Sequence, residues 1–323
     1  MKIIVTGAAG FIGYHLSKRL LLEGHEVVGI DEMNDYYDPK LKYDRAARLE
    51  CPKFTLLIRH IEDVEGMEML FSQFRPDVVV NLAAQAGVRH SIDQPMAFAR
   101  SNLVGSSVVL EQCHKANVKH LLIASSSSVY GSTLRLPFEE TDTCVRPLSF
   151  YAATKRANEL MAHSYSVVHK LPITCMRFST VYGPWGRPDM AMLKFIRAMS
   201  HGAPVELYGY GDMARDFTYV DDTVEGIVRL IPEIPNSNAL CQIYNISAGN
   251  PVWLPGVIAE LEHNLGIKAE IELRPAPPTD IRVTYSSNDK LYRTTGFAPA
   301  TTIATGIQKL VEWTKEYYKE AQS

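Results

Sequence analysis

The sequence is poor in cysteine and lacks any long apolar run. The five cysteines among 323 residues are scattered and form no Cys-x-x-Cys pair, so we predict reduced side chains and no disulfide framework. The ten histidines show no spacing typical of metal ligands, and we predict no metal site. No segment is apolar enough to span a bilayer, and a strand pattern begins at once, which argues against a signal peptide. We therefore expect a cytoplasmic protein without a membrane partner.

A strong charge of one sign is also absent. Lys and Arg number 33 and Asp and Glu number 36, which gives a net charge of −3. Without a long basic run, this balance argues against a nucleic-acid partner and leaves any anionic ligand to local positive groups. The apolar content of 46% and the charged content of 21% are typical of a globular protein. Because 323 residues exceed what one core usually holds, we predict one large domain and a smaller one.

Strand-like and helix-like segments alternate through the first half of the chain. Buried strands are predicted over residues 2–6, 26–30, 54–58, 78–81, 121–124 and 173–178, with helices between them. This alternation predicts an α/β fold, a doubly wound parallel sheet of the Rossmann type. Beyond residue 178 the alternation breaks, which indicates a second, smaller α/β domain. Helices are predicted there over residues 192–201 and 302–321.

Three glycines follow the first predicted strand in the order Gly7-x-x-Gly10-x-x-Gly13. Between a buried strand and a helix, this spacing lets the backbone approach a pyrophosphate at the helix N-terminus. Asp31 ends the second strand 18 residues after Gly13 (31−13), where a carboxylate accepts ribose hydroxyls and repels a 2′-phosphate. The pattern predicts NAD rather than NADP, with Asn34 sharing the ribose. The alternatives are a glycine turn that serves packing alone and an Asp31 that only ends a strand.

Tyr151 and Lys155 form a Tyr-x-x-x-Lys motif that begins 25 residues (151−126) after Ser126. Positions i and i+4 share one face of a helix, so the ammonium can lie beside the phenol and favour its ionised form. Lowering the pKa of a tyrosine from ~10 to ~7 takes about 4 kcal/mol. The motif predicts hydride exchange between a sugar-like alcohol and a nicotinamide, although an isolated Tyr-x-x-x-Lys is more often an ordinary helix surface.

Further segments carry a resemblance that covers nearly the whole chain. They are residues 81–86, Ser101-Asn102-x-x-Gly105, and residues 125–131, 177–191 and 211–222. With the glycine and tyrosine motifs, they resemble the nucleotide-sugar epimerases of the extended short-chain dehydrogenase/reductase family. The stretch 177–191 is the most specific, since it is similar to the signature of UDP-glucuronate 4-epimerases.

The resemblance implies reversible inversion at C4 of UDP-glucuronate, giving UDP-galacturonate through a 4-keto sugar, with tightly held NAD. Tyr151 is then the base, Ser126 hydrogen-bonds the same sugar oxygen, and Lys155 contacts the nicotinamide ribose and lowers the pKa of Tyr151. Three alternatives remain open at this point. They are a 4-epimerase of a neutral UDP-sugar, a UDP-glucuronate decarboxylase, and a nucleotide-sensing or redox-sensing protein without turnover.

The resemblance also implies a set of cofactor-binding residues. These are Gly7, Gly10, Phe11, Ile12, Gly13, Asp31, Asn34, Lys42, Ile61, Leu82, Ala83, Ala84, Gln85, Asn102, Ala124, Tyr151, Lys155, Phe178 and Val181. Three positions depart from the family pattern: His60 stands where an Asp usually contacts adenine, Asn81 where His is frequent, and Ser179 in place of a usual Phe.

A second set is expected to bind the substrate. Ser127, Ser128 and Thr180, beside Ser126, are predicted to hold the uronate carboxylate through neutral donors and so prevent decarboxylation of the 4-keto acid. Related dehydratases carry an acidic pair at the positions of Ser127 and Ser128, and related decarboxylases carry a Glu at the position of Ser128. The alternative reading of a serine run is turn propensity. Candidate ligands for the diphosphate, the uridine or the carboxylate are Arg89, Arg187 and Arg215. Asp280 is a candidate contact for the uridine ribose.

Two expectations concern organisation. We predict an NAD-binding domain over residues 1–177, to which 217–245 returns, and a nucleotide-sugar-binding domain over 178–323, mainly 178–216 and 246–323. We also predict a homodimer, in which helices beginning near Asn102 and Phe150 pair with a second copy. The apolar residues of these helices are Val108, Val109, Leu160 and Met161. That these side chains pack against the sheet instead is an almost equal alternative.

Overall fold

The computed structural model of the chain describes residues 1–237 and 239–320. Strands are numbered in chain order through these residues. They are β1 (Lys2–Thr6), β2 (Glu26–Asp31), β3 (Phe54–Ile58), β4 (Val78–Asn81), β5 (His120–Ser126), β6 (Ile173–Phe178), β7 (Thr180–Tyr182), β8 (Val205–Tyr208), β9 (Ala214–Tyr219), β10 (Cys241–Ile246), β11 (Pro251–Trp253) and β12 (Ile271–Arg274).

Helices alternate with these strands. They are α1 (Phe11–Leu22), α2 (Lys40–Ala47), α3 (Val64–Phe74), α4 (His90–Asp93), α5 (Pro95–Phe98), α6 (Ser106–Lys115), α7 (Phe150–His169), α8 (Ala191–Ser200), α9 (Val220–Leu230), α10 (Leu254–Leu265), α11 (Asp289–Thr295) and α12 (Ile303–Glu320). A π-helical segment, Ala99–Gly105, joins α5 to α6. The helix predicted to reach residue 321 is α12, and its last predicted residue lies outside the described residues.

A seven-stranded parallel sheet forms the centre, in the order β10-β6-β5-β4-β1-β2-β3. Side chains alternate across it, so Ile3 and Val5 pack into one core while Ile4 packs into the core on the other face. Helices cover both faces, as expected for parallel strands that are buried on both sides. The strand order reverses beside β1, which pairs with β2 on one side and β4 on the other. Such a reversal opens a crevice at the carboxyl ends of the strands, where ligands bind.

Two smaller sheets lie beyond residue 178. In one, β9 pairs parallel with β7 and antiparallel with β11; in the other, β8 pairs with β12. We predicted that residues 217–245 return to the NAD-binding domain. Residues 241–246 form edge strand β10 of the large sheet beside β6, whereas residues 217–219 belong to β9 of the three-stranded sheet. The helix α9 between them packs against α1.

The apolar residues assigned to a dimer contact divide between two environments. Val108 and Val109 are buried, at 8% and 0% exposure, in the core that also holds Leu121 of the sheet. For these two valines the prediction of an outward face is wrong, because that side of α6 covers the sheet. Met161 packs against the edge of the same core, whereas Leu160 is 56% exposed. In the described part of the chain, no helix has both the length and the apolar character needed to cross a bilayer.

Candidate functional site

A cavity of about 920 Å³ opens at the carboxyl ends of the large sheet. Its lining comes from the segments that follow β1, β2, β4, β5 and β6, together with α7 and the smaller sheets. All but one of the predicted site residues line it. From the cofactor set these are Gly7, Gly10, Phe11, Ile12, Gly13, Asp31, Asn34, Lys42, Ile61, Leu82, Ala83, Ala84, Gln85, Ala124, Tyr151, Lys155, Phe178 and Val181, and from the rest Arg89, Ser126, Ser127, Ser128, Thr180, Arg187, Arg215 and Asp280.

The glycine loop brings backbone amides to the floor of this cavity. Gly7 has a φ of +70°, and its amide donates to the carbonyl of Ile30 at 2.7 Å. The amide of Gly10 donates to the carbonyl of Gly7 at 2.9 Å, and α1 begins at Phe11. A Cβ at Gly13 would lie 1.9 Å from the carbonyl oxygen of Gly7. The turn is therefore as tight as a pyrophosphate at a helix N-terminus requires.

Asp31 is fixed beside this loop. Its carboxylate accepts the amide of Ala9 at 3.1 Å and that of Met33 at 3.0 Å. Lys42 lies 3.9 Å from Asp31 and donates to Asn34 at 2.6 Å. Burial lowers the pKa of Lys42, against the nearby charge of Asp31. Asp31 and Asn34, which were predicted to share a ribose, are thus brought together with Lys42 of the cofactor set.

Sequence reasoning missed Glu32 at the same end of the cavity. Its carboxylate lies 2.8 Å from Nδ1 of His60 and accepts a hydrogen bond from the side-chain Nε2 of Gln85 at 3.0 Å. His60, noted for replacing an aspartate, is 63% exposed at its side chain. Ile61 beside it is only 4% exposed and lines the cavity. His60, which stands where the family usually has an Asp, therefore contacts the carboxylate of Glu32.

Asn102 is the predicted cofactor residue that does not line the cavity. It is fully buried, and its side chain accepts the amide of Gln85 at 2.8 Å and donates to the Gln85 carbonyl at 3.1 Å. It also donates to the hydroxyl of Thr154 on α7 at 3.0 Å. In the structure, Asn102 holds the segment after β4 against α7, because the π-helical segment turns its side chain inward.

Ser126, Tyr151 and Lys155 meet in the cavity. Ser126 ends β5, and the other two lie one turn apart at the start of α7, which Ser149 caps by accepting the amide of Ala152 at 3.1 Å. Burial raises the pKa of Tyr151, while the side chain of Ser126 and the positive charge of Arg187 oppose that rise. The arrangement fits a phenol that exchanges a proton with a neighbouring hydroxyl.

Lys155 is held between β5 and the ring of Tyr151. Its ammonium donates to the carbonyl of Ala124 at 2.8 Å and lies 5.9 Å from the centre of the Tyr151 ring. Burial lowers the pKa of Lys155 to about 8. That Lys155 lowers the pKa of Tyr151 stays a prediction, and the charge of Arg187 acts on that phenol in the same direction.

The serine run forms the first turn after β5. The hydroxyl of Ser126 accepts the amide of Ser128 at 3.2 Å, and residues Ser127–Tyr130 form a 3-10 turn. Ser127, Ser128 and Thr180 line the cavity. The hydroxyl of Ser128 is buried and finds no hydrogen-bond partner among the described residues. A buried hydroxyl without a partner is uncommon in a folded protein, and turn propensity alone does not account for it.

Positive side chains gather at two places in the cavity. Arg89 lies 3.3 Å from Asp280, and Arg215 lies 4.0 Å from the same carboxylate. Arg89 also covers the ring of Tyr208, at 4.2 Å from its centroid. Arg187 lies elsewhere and makes a two-point contact with Asp189, at 3.0 and 2.8 Å. The first cluster suits a diphosphate, for which paired guanidinium groups are the usual ligands.

Sequence reasoning also missed a buried carboxylate below the reacting groups. Glu159 accepts the hydroxyl of Ser125 at 2.6 Å and two bonds from Arg177, at 2.8 and 2.9 Å. Both partners of this ion pair are 1% exposed. Burial raises the pKa of Glu159, but the hydrogen bonds from Arg177 and Ser125 outweigh it and hold the pKa below its usual value. The available signal was its spacing, since Glu159 follows Lys155 by four residues on the same helix face.

Comparisons with known proteins agree with this geometry. Residues 3–247 match the NAD dependent epimerase/dehydratase family. The chain is 46% identical over 334 residues to Protein CapI of Staphylococcus aureus, covering 99% of this chain and 100% of the relative. It is 42% identical over 339 residues to a probable UDP-glucuronate 4-epimerase of Rhizobium meliloti (strain 1021), covering 100% and 99%.

A solved structure shares the fold. The UDP-glucuronic acid 4-epimerase from Bacillus cereus, crystallised with UDP-glucuronic acid and NAD, superposes with a TM-score of 0.91 at 31% identity. The match covers 98% of this chain and 100% of that one. The predicted doubly wound parallel sheet is thereby confirmed.

The glycine loop generates a prediction about stability. Gly13→Ala places a Cβ 1.9 Å from a backbone oxygen, so we expect the free energy of unfolding to fall by about 1 to 3 kcal/mol. Gly256→Ala is the matched control, because it also lies in a helix and its Cβ would find its nearest neighbour at 3.9 Å. That variant should change little or gain up to about 1 kcal/mol. Urea unfolding followed by circular dichroism measures both; equal stability of the two variants would contradict the close approach.

Proposed function

Because the chain belongs to the NAD dependent epimerase/dehydratase family, we propose that it catalyses the reversible inversion of C4 of UDP-glucuronate, giving UDP-galacturonate. The observation that carries this proposal is the meeting of Ser126, Tyr151 and Lys155 at one wall of a cavity whose floor is the glycine loop. The substrate named for the similar enzymes from Rhizobium meliloti and Bacillus cereus supports the same assignment.

The residues of the cavity fit NAD, which supplies the acceptor and donor of the C4 hydrogen when it is bound. The backbone amides of the first turn of α1, which begins at Phe11 directly after the glycine loop, would hold its pyrophosphate. Asp31, Asn34 and Lys42 would hold the adenosine ribose, and the carboxylate of Asp31 disfavours a 2′-phosphate. Lys155 would donate to the nicotinamide ribose from its place beside Ala124. The sheet-forming residues 1–177 with β10 would thus serve the cofactor.

Tyr151 and Ser126 act on the sugar hydroxyl. Tyr151 in its ionised form would accept the proton of the 4-hydroxyl and return it in the second half of the reaction, and the serine hydroxyl would hydrogen-bond the same oxygen in both halves. The resulting 4-keto ring must present its other face before the proton returns. No net oxidation occurs, so a cofactor that stays bound serves every turnover.

The remaining residues would bind the rest of the substrate. Arg89 and Arg215 are placed for the diphosphate, with Asp280 between them accepting a ribose hydroxyl. The part of the chain that carries them, mainly 178–216 and 246–323, would form the nucleotide-sugar side. At the sugar, the hydroxyls of Ser127, Ser128 and Thr180 would hold the carboxylate, for which the buried hydroxyl of Ser128 has a free donor.

Hydrogen bonds from these hydroxyls to the carboxylate would prevent a side reaction, the loss of carbon dioxide. A 4-keto uronate is a β-keto acid, and it loses carbon dioxide when the bond to its carboxylate aligns with the carbonyl π system. Neutral donors that fix the carboxylate out of that alignment preserve the carbon skeleton. Product analysis with UDP-glucuronate separates the three enzymes considered: a diastereomer for this proposal, no reaction for a neutral-sugar epimerase, and a pentose with carbon dioxide for a decarboxylase.

Tyr151→Phe tests the base. We expect kcat with UDP-glucuronate to fall by at least about 100-fold, because the ring keeps its shape while the proton acceptor is lost. NMR analysis of the product measures turnover, and the bound NAD content shows whether the cofactor site is intact. Tyr292→Phe, at a position that is 57% exposed, should behave like the wild type. Near-normal turnover in Tyr151→Phe would remove the assigned role.

Ser128→Glu tests the carboxylate grip. A second carboxylate would repel that of the sugar from its fixed orientation, so we expect a UDP-pentose and carbon dioxide among the products. Mass spectrometry and NMR identify them. Ser132→Glu adds the same charge at an exposed position and should yield the C4 epimer alone. If Ser128→Glu also yields the epimer alone, the serine does not control the orientation of the carboxylate.

We further propose a homodimer, for which the exposed apolar side chains of adjacent helices provide the surface. Leu160 of α7 is 56% exposed, and Val104 of the π-helical segment is 52% exposed. Light scattering over a range of concentrations should give twice the chain mass for the wild type and a lower mass for Leu160→Glu. A monomer mass at all concentrations would exclude the pairing.

We also propose a cytoplasmic, reducing location. The five cysteines are free, which supports this proposal.

A further inference from the structure

The loop that follows β2 reaches across the cavity to the sugar side. The hydroxyl of Tyr36 donates to the carboxylate of Asp189 at 3.0 Å. The same carboxylate accepts two bonds from the guanidinium of Arg187, at 3.0 and 2.8 Å. The guanidinium also lies 5.8 Å from the centre of the Tyr36 ring. All three side chains line the cavity, so this chain of contacts is part of the site.

The segment that carries Arg187 rests on elements of the cofactor side. Arg45 of α2 is fully buried and donates to the carbonyl of Trp185 at 2.7 Å. It also donates to the carbonyl of Ala9 in the glycine loop at 2.9 Å. On α1, Nε2 of His15 lies 2.9 Å from the carbonyl of Pro184. The backbone before Arg187 is therefore fixed, and the contact with Asp189 and Tyr36 fixes its side chain.

We propose that Tyr36 and Asp189 are positioning residues, which hold the guanidinium of Arg187 in the cavity that Tyr151 also lines and tie the segment after β7 to the loop after the Asp31 strand. The inference rests on the proposed function, because it assigns these residues to that reaction. A bound dinucleotide that orders the β2 loop would then also order the sugar site.

The charges around Arg187 agree with this role. The groups that act on its guanidinium are Asp189, Tyr36 and Tyr37, and its own charge acts in turn on Lys42 and on Tyr151, whose pKa it lowers. Burial and the charge of Asp189 raise the pKa of Tyr36 to about 12, so the Tyr36 hydroxyl stays protonated and remains a donor through the working range of an enzyme. Withdrawing Arg187 from its place removes a cation that favours the ionised form of Tyr151.

Tyr36→Phe in the NAD-loaded enzyme tests the proposal, since it keeps the ring and removes the hydroxyl. We expect kcat/KM for UDP-glucuronate to fall by about tenfold, as for a hydrogen bond to a charged acceptor. The acid limb of the kcat/KM profile, which reports the base of the free enzyme, should move to higher pH by about half a unit or more as the cation is displaced. Rates are referred to the measured NAD content. Tyr43→Phe, at a position of α2 that is 52% exposed, is the matched control and should keep both values.

A double-mutant cycle adds a second readout. If the Tyr36 hydroxyl acts through Asp189, then the losses in kcat/KM for Tyr36→Phe and Asp189→Asn combine to less than their sum in the double variant. Strictly additive losses, an unchanged kcat/KM in Tyr36→Phe, or a loss without a shift of the acid limb would each overturn the proposal. Failure of the proposed function is a separate result, since the wild-type enzyme would then not convert UDP-glucuronate at all.

Discussion

The buried carboxylate of Glu159 is the interaction on which the arrangement of the reacting groups depends. One side chain of α7 binds Ser125 on β5 and Arg177 on β6, so it joins the helix of Tyr151 and Lys155 to two neighbouring strands. Ser125 directly precedes Ser126. The contact of Glu159 with Ser125 therefore fixes the position of Ser126 relative to Tyr151. Breaking such a buried pair by removing one partner costs about 3 to 5 kcal/mol. That cost exceeds the roughly 0.5 to 3 kcal/mol that a single hydrogen bond contributes, so the sheet and α7 form a rigid base for the site.

Above this base, hydrogen bonds within the protein join the proposed cofactor side of the cavity to the proposed sugar side. Arg45 donates to the glycine loop and to the segment before Arg187, and its guanidinium is fully buried. Asn102 connects the segment after β4 with α7 through its amide. Because guanidinium and amide groups make several bonds at fixed angles, each of these residues sets the distance between two walls of the cavity. The proposed cofactor and the proposed sugar nucleotide would therefore bind in one cavity whose walls these residues hold together.

What the sequence could predict was local. Gly7, Gly10 and Gly13 constrain one turn, and the Tyr151 and Lys155 spacing places two side chains on one helix face, so both motifs point to their chemistry without tertiary information. The alternating strands likewise predict the large sheet. The roles of Asn102 and Arg45 depend on partners 17 and 140 residues away, which no local pattern contains. Val108 and Val109 were assigned to a dimer contact for a related reason. An apolar stripe on a helix shows that this face is covered, but not whether the sheet or a second copy of the chain covers it. Residues 217–219 pair in the smaller sheet because β7 and β11 lie beside them, and strands of three residues have too little periodicity to be recognised.

The late position of β10 in the chain has a consequence for synthesis. Of the strands in the large sheet, β6 is complete at residue 178 and its outer neighbour β10 begins at residue 241, so 62 residues (240−178) separate them. A nascent chain on the ribosome therefore presents the buried strand β6 as an open edge while those residues are made, and such an edge is a template for pairing with other chains. Translation speed over this interval, and any chaperone that shields the emerging edge, would therefore affect the yield of folded protein.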